Sequence, residues 1–426
     1  MKKIVFLLLS AVLILSTVSC SPTQVYGDEA KSDKEYDSSP DVSNTALEAL
    51  VDGNNEFAYD LYKQLSADKE GNFFYSPYSI SLALAMTYAG ANGQTEEQMA
   101  EVLHFLLEDE ELHAAFNKLA IELNSRNEVP EGSDAQGFEL NIVNATWGQR
   151  GFEFMQAFLD VLAENYDAGI RLLDYEADPE ACRQTINQWV SEQTNGRIED
   201  LIPEGAIDEM TRLVLTNAIY FKAAWLHQFN EEYTYDDVFY LEDGSTVTVP
   251  MMHQTDRFSY VNGDSYTAIE LLYDIYNMSM VIIMPDEGTF DDFESSLTFE
   301  LVDSLIDSMS SGEVNLTMPK FEFESDFNLS DTLQTMGMTD AFSNNADFSG
   351  ITDKADLAIS DVIHKAFISV DEEGTEAAAA TAVIMSETAM PIEIGDVNIN
   401  HSFIFLIRDI ETNSTLFVGR VMNPAV

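Results

Sequence analysis

The chain has 426 residues, 75 of them acidic and 20 basic, which leaves a formal net charge of −55. Neutralising phosphate needs clustered Lys and Arg, so this balance excludes a nucleic-acid binder and disfavours anionic membranes and heparin-like sulfated polymers. Disorder does not follow, because 46% hydrophobic and 11% aromatic residues supply a large core around which the acidic side chains stay hydrated, as in proteins adapted to concentrated salt.

In chain order, Lys2 and Lys3 precede an apolar run over residues 4–15, too short for a comfortable span, and together they predict an export signal over residues 1–20. Thr17-Val18-Ser19-Cys20 follows, and small residues before a cysteine resemble the lipobox of prokaryotic lipoproteins. That resemblance implies lipidation of Cys20, with plain cleavage and secretion as the alternative because Thr17 stands where Leu is usual. Residues 21–45 are polar and rich in Ser, Asp and Lys, a flexible tether by composition. Cys182 is then the one thiol of the mature part, which rules out a disulfide framework; it reads as a half-buried helix residue rather than a nucleophile.

Length alone suggests two or three domains, but no repeat and no Pro/Gly-rich break divides residues 46–426, which read as one domain. Ser76-Pro77 starts a helix, apolar nearly all round and therefore central. Asp178-Pro179 starts another, with Ile186, Trp189 and Val190 on one face, and Asn195-Gly196 stops it. Leu213, Leu215, Ile219 and Phe221 alternate as strand residues do. Residues 278–284, 403–407 and 416–421 are short apolar runs expected as buried strands, and 362–370 and 397–405 are further strand candidates. Helices first and strands afterwards argue for an α+β fold.

The catalytic inventory is poor. The sequence holds no Gly-x-Ser-x-Gly elbow, no phosphate-cradling Gly-x-x-x-x-Gly-Lys, no His-Glu-x-x-His and no calcium loop. Histidines 104, 113, 227, 253, 364 and 401 never fall at metal-ligand spacing, so neither a metal nor a cofactor is expected. Sequons occur at Asn144, Asn277, Asn315, Asn328 and Asn413, and 75 carboxylates make Asp/Glu spacing uninformative.

The segment after Asp371 reads Glu372-Glu373-Gly374-Thr375-Glu376-Ala377-Ala378-Ala379-Ala380-Thr381. Local propensity predicts a helix over 375–385, since Thr375 can cap it and four alanines favour it. A second reading is an exposed connection able to become a strand, with Thr375, Ala377, Ala379 and Thr381 on its inner alternation and Gly374 as the backbone hinge. This string is similar to the hinge of inhibitory serpins. Asn72-Phe73-Phe74-Tyr75-Ser76-Pro77-Tyr78-Ser79-Ile80 resembles that family's shutter helix. Asn217-Ala218-Ile219-Tyr220-Phe221-Lys222-Ala223-Ala224-Trp225 resembles its central strand with the breach tryptophan. Val362-Ile363-His364-Lys365-Ala366, Phe403-Ile404-Phe405-Leu406-Ile407-Arg408 and Leu416-Phe417-Val418-Gly419-Arg420 extend the likeness, in the family's order, over residues 54–424.

The resemblance implies a large central sheet, two further sheets, eight or nine helices and an exposed reactive loop at about 372–396. It implies no enzyme but a monomeric suicide-substrate inhibitor that forms a covalent 1:1 complex with a serine protease, or in some members a cysteine protease. By the same resemblance Glu372, Glu373, Gly374, Thr375 and Glu376 form the hinge, and Ala377, Ala378, Ala379 and Ala380 keep insertion sterically cheap. Ser76, Ser79, Asn217 and His364 match the shutter and Trp225 the breach. Inhibitory members keep seventeen residues from the hinge Glu to the cleaved residue, which places the reactive bond between Thr388 and Ala389, with the neighbouring positions from Met385 to Met390 as alternatives because the loop is a few residues longer on its far side. Small and apolar residues there suit an elastase-like or subtilisin-like pocket. No Lys or Arg lies between Lys365 and Arg408, which argues against a trypsin-like target. Ser402 stands where the family usually has Pro, and Ala223 where Gly is common. The alternatives are a non-inhibitory serpin used for binding or structure, and a hydrolase supported by nothing beyond length and export.

Overall fold

A computed structural model describes residues 28–126, 138–274, 277–353, 357–375 and 394–426. Short local signals start its elements where the sequence places them. Ser76 caps the helix Pro77–Tyr88 by accepting a hydrogen bond from the Ser79 amide, and Pro77 fills the first turn, where no donor is needed. All but one of that helix's residues, Leu82, are buried, as its apolar circumference requires. Asp178 caps the helix Pro179–Gln193, and Asn195 and Gly196 leave it with positive φ.

The central sheet runs, in spatial order, β1 (Asp28–Ala30), β4 (Ile170–Leu173), β3 (Phe138–Gln149), β5 (Leu213–Ala224), β13 (Gly374–Thr375), β12 (Asp361–Val370) and β11 (Phe321–Asn328). The second runs β14 (Gly395–Asn398), β10 (Ser310–Pro319), β7 (Thr246–Asn262), β8 (Tyr266–Leu272), β9 (Met278–Pro285), β15 (Phe403–Asp409), β16 (Thr415–Val421) and β2 (Phe73–Tyr75), with β6 (Tyr235–Tyr240) beside β7. The two further sheets expected beside the central one meet in β7. This strand pairs with β6 through its first residues, with β10 along its middle and with β8 only over its last four. Nine α-helices occur among the described residues. The main core lies between the sheets, where β9, β15 and β16 are buried almost throughout, as their unbroken apolar runs predict. A second core sits under the helix Pro179–Gln193, where the Trp147 and Trp189 rings meet edge to face at 5.3 Å.

Four local expectations are corrected. From Asp28 onward the supposed tether is docked: β1 pairs with β4 at the sheet edge, Lys31 reaches Asp167 at 2.8 Å and the Asp37 carbonyl accepts from Asn117. Polar composition cannot reveal this, because the partners lie 80 or more residues away. The run 397–405 is two strands: β14 pairs in parallel with β10, and the chain then crosses to pair β15 with β9. Cys182 is fully buried rather than half-buried. The local helix read over 375–385 does not include Thr375, which is a strand residue. The rest of that segment, with Glu376, Ala377, Ala378, Ala379, Ala380, Thr388 and Ala389, lies outside the described residues, as do the signal and Cys20.

Candidate functional site

Two polar assemblies occupy the line along which β5 and β12 adjoin. These strands run parallel and in register from Val214 opposite Asp361 to Tyr220 opposite Phe367. Beyond that point they part, and β13 fills the gap, antiparallel to both: Gly374 lies opposite Ala224, Thr375 opposite Ala223, and Val370 opposite Thr375. Gly374 and Thr375 of the predicted hinge are therefore already a short strand inside the sheet.

Gly374 is required by that fit, since a Cβ on it would stand 2.1 Å from the Ala223 carbonyl oxygen. Thr375 is 1% exposed, and its hydroxyl lies 2.8 Å from the Tyr273 phenol. Tyr273 stacks on Trp225 with ring centroids 4.7 Å apart and meets Phe221 at 5.3 Å. Trp225 holds the chain twice at the start of the hinge, its amide donating to the Glu373 carbonyl and its indole N–H to the Asp371 carbonyl, both at 2.9 Å. The Asp371 carboxylate accepts from the amides of Glu373 and Gly374 and closes the turn. Glu372 is buried; its carboxylate receives Lys320 Nζ at 2.5 Å and the Thr234 hydroxyl at 2.7 Å. Burial alone would raise its pKa, but the bonds from Lys320 and Thr234 outweigh that and hold the carboxyl below the usual glutamate value. Glu373 shifts the other way, raised by burial and by the neighbouring Asp371 and Glu231.

Deeper in the sheet, Asn144, Asn217 and His364 form one rung across β3, β5 and β12. The Ser79 hydroxyl donates to Asn217 Oδ1 at 2.9 Å, and Asn144 Nδ2 donates to the Ser79 carbonyl at 3.1 Å. Asn217 Nδ2 returns a bond to Asn144 Oδ1. The Ser76 amide donates to His364 Nε2 at 3.2 Å, so that nitrogen is the acceptor and Nδ1 carries the proton given to Asn217 Oδ1. The ring is neutral, its pKa lowered to about 3 by complete burial. Four of these residues, Ser76, Ser79, Asn217 and His364, are the predicted cluster, and the structure brings them together.

Sequence reasoning missed Asn144, Asp371, Tyr273, Lys320 and Thr234. Asn144 appeared only as a sequon; its amide is taken up within the sheet by Ser79 and Asn217. At the two departures, Ala223 is fully buried against the hinge, and the buried Ser402 hydroxyl finds no hydrogen-bond partner among the described residues. Burial pushes the Cys182 thiol up to about 11, away from any nucleophilic use. Among the described residues no group of three or more His, Cys, Asp or Glu is placed to hold a metal ion.

Comparison with known proteins gives a consistent answer. The family model described as Serpin (serine protease inhibitor) matches residues 52–424. A serpin-like protein of Thermococcus kodakarensis is 44% identical over 378 residues, covering 88% of this chain and 86% of its own. The leukocyte elastase inhibitor of Xenopus laevis is 39% identical over 388 residues, covering 89% and 100%. Among solved structures, the thermophilic serpin tengpin in its native state superposes with a TM-score of 0.79 at 30% identity, covering 92% of this chain and 97% of that one.

Proposed function

The chain belongs to the serpin family, and from that premise we propose that it is a suicide-substrate inhibitor of serine proteases with small or apolar specificity, elastase-like or subtilisin-like. The observation that carries this reading is the strand Gly374–Thr375, already threaded between β5 and β12 with both neighbours paired. A loop that continues with Ala377, Ala378, Ala379 and Ala380 can extend the strand with little steric demand. The leukocyte elastase inhibitor, an inhibitor by name, supports the same class of target.

In the proposed reaction the protease serine attacks the Thr388 carbonyl. The Thr388–Ala389 bond breaks, the Ala389 amine leaves, and an ester joins Thr388 to the protease. The freed segment zips in from Thr375, separates β12 from β5 and carries the protease along, distorting its active site before water cleaves the ester. A dozen new ladder bonds at ~0.5–1.5 kcal/mol net each amount to on the order of 10 kcal/mol. That matches the ~5–15 kcal/mol by which a protease domain is stable. The shutter is the barrier to the same movement, because separating the strands breaks the His364–Asn217 bond. The export reading places this activity outside the cell, tethered where Cys20 is lipidated.

Mixing with pancreatic elastase or subtilisin tests the proposal. A 1:1 complex stable in denaturant, with an intact mass equal to the protease plus the chain cut after Thr388, is expected. Cleavage of the loop without any complex would overturn it.

A further inference from the structure

Beside the hinge, β7 and β8 separate. They pair only over Ser259–Asn262 with Thr267–Glu270, after which β7 turns toward β6 and β10 while β8 continues to Leu272. Residues 225–227 bridge the mouth of this wedge. The Leu226 amide donates to the Leu272 carbonyl on one side, and the His227 carbonyl accepts from Gln254 Nε2 on the other. The cavity, partly open to solvent, is about 220 Å³, lined by the apolar Trp225, Phe258, Leu271 and Leu272 and, among its polar residues, by Arg257 and Glu270.

The charge at this cavity is unusual for so acidic a chain. Arg126, Arg150, Arg183, Arg212, Arg408 and Arg420 all hold carboxylates, Arg171 lies over the Trp147 and Trp189 rings, and Arg197 lies over the Phe367 ring. Arg257 is the arginine left, among the described residues, with neither a carboxylate nor a ring against its guanidinium; Glu313, opposite it on β10, forms no ion pair with it. The acids nearest the cavity are engaged elsewhere: Asp256 pairs with His227 at 3.2 Å, and Glu270 accepts from Ser279 on its way to Arg408. An uncommitted guanidinium over an apolar cavity is a receptor for a carboxylate carried on an apolar body.

We propose that this wedge binds a small apolar carboxylate, one ring system or short acyl chain in size, and that its occupancy holds the hinge closed. The second part follows from Trp225, which is at once a wall of the cavity and the donor of two hydrogen bonds to Asp371 and Glu373. A ligand packed on its ring opposes the movement that would release both. The consequence for inhibition rests on the proposed function; the binding itself does not.

Isothermal titration of the full chain with 1-naphthoate, its neutral analogue 1-naphthamide, and the Arg257→Gln variant tests the site without a protease. Saturable 1:1 binding of the acid is expected, weakened at least tenfold by either the amide or the variant. Arg257 is exposed and unpaired, so the variant keeps the parent's melting temperature. Absence of saturable binding, or equal binding by amide and acid, overturns the site. Hydrogen exchange at the Trp225 and Gly374 amides reads the hinge: slower exchange with 1-naphthoate is expected, and unchanged exchange overturns the coupling.

Discussion

Thr375 has one polar partner and no solvent. Its hydroxyl meets the Tyr273 phenol, and its backbone is clasped between Val370 and Ala223, so a larger or charged residue cannot keep the buried place from which the proposed insertion starts. An ionised guanidinium there would lose its hydration without a carboxylate to replace it. Thr375→Arg should therefore bind and be cut by the same protease at a similar rate yet fail to trap it, converting inhibitor into substrate. Counting protease molecules inhibited per molecule of inhibitor consumed measures this partition; a variant that inhibits with unchanged stoichiometry would show that insertion does not begin at Thr375.

At the scale of elements, the shutter joins β3, β5, β12 and the N-terminus of the helix Pro77–Tyr88 through one neutral histidine. The groups facing His364 are the Ser76 amide, the Asn217 amide and the Phe327 ring at 6.3 Å, so no charge compensates its protonation. Its folded pKa of about 3 lies below the ~6.5 of an unfolded histidine. Above pH 6.5 neither state binds the proton and the full stability is present. As pH falls below 6.5 only the unfolded chain is protonated, and stability is lost at up to about 1.4 kcal/mol per pH unit until about pH 3. Buried His113, lowered to about 4, adds a loss of the same sign. Carboxylates titrate in this range too, so the informative quantity is a difference. The stability gap between the parent and His364→Gln should narrow steadily from pH 6.5 to pH 4 in denaturant titrations, and a constant gap would refute a neutral shutter.

The same elements show what a sequence discloses. Ser76-Pro77 and Asp178-Pro179 announce their helices because caps act within four residues, and β5 is legible because its side chains alternate. The break between β14 and β15 is hidden, since one alternation runs through Val397, Ile399, Phe403 and Phe405 while the chain changes partners. Tyr273 and Asp371 are silent for a related reason: their importance is a contact with Thr375 and Trp225, and no local pattern encodes contacts across 100 residues. The hinge string and the shutter residues were readable through their likeness to a family, not through propensity, which predicts a helix at Thr375.

For the whole molecule the decisive quantity is how much stability the uninserted state leaves unused. The central sheet holds a strand of two residues where β5 and β12 have already parted, and the bonds β13 makes there could be repeated along both strands. If cleavage releases the loop to insert, the added ladder bonds contribute on the order of 10 kcal/mol. A domain of roughly 380 residues has an unfolding entropy of about 0.8 kcal/mol per kelvin, so this gain raises the melting temperature by roughly 12 °C. Papain, used at low ratio to nick the loop, provides the measurement by calorimetry before and after cleavage. Both scans belong in one buffer of moderate salt, because a net charge of −55 makes the absolute melting temperature depend on screening while the difference between intact and cut chains does not. A rise of that size, with the Thr375→Arg form rising far less, places the stored free energy in insertion from the hinge; equal melting temperatures for intact and cut parent would mean the cut strand stays outside the sheet.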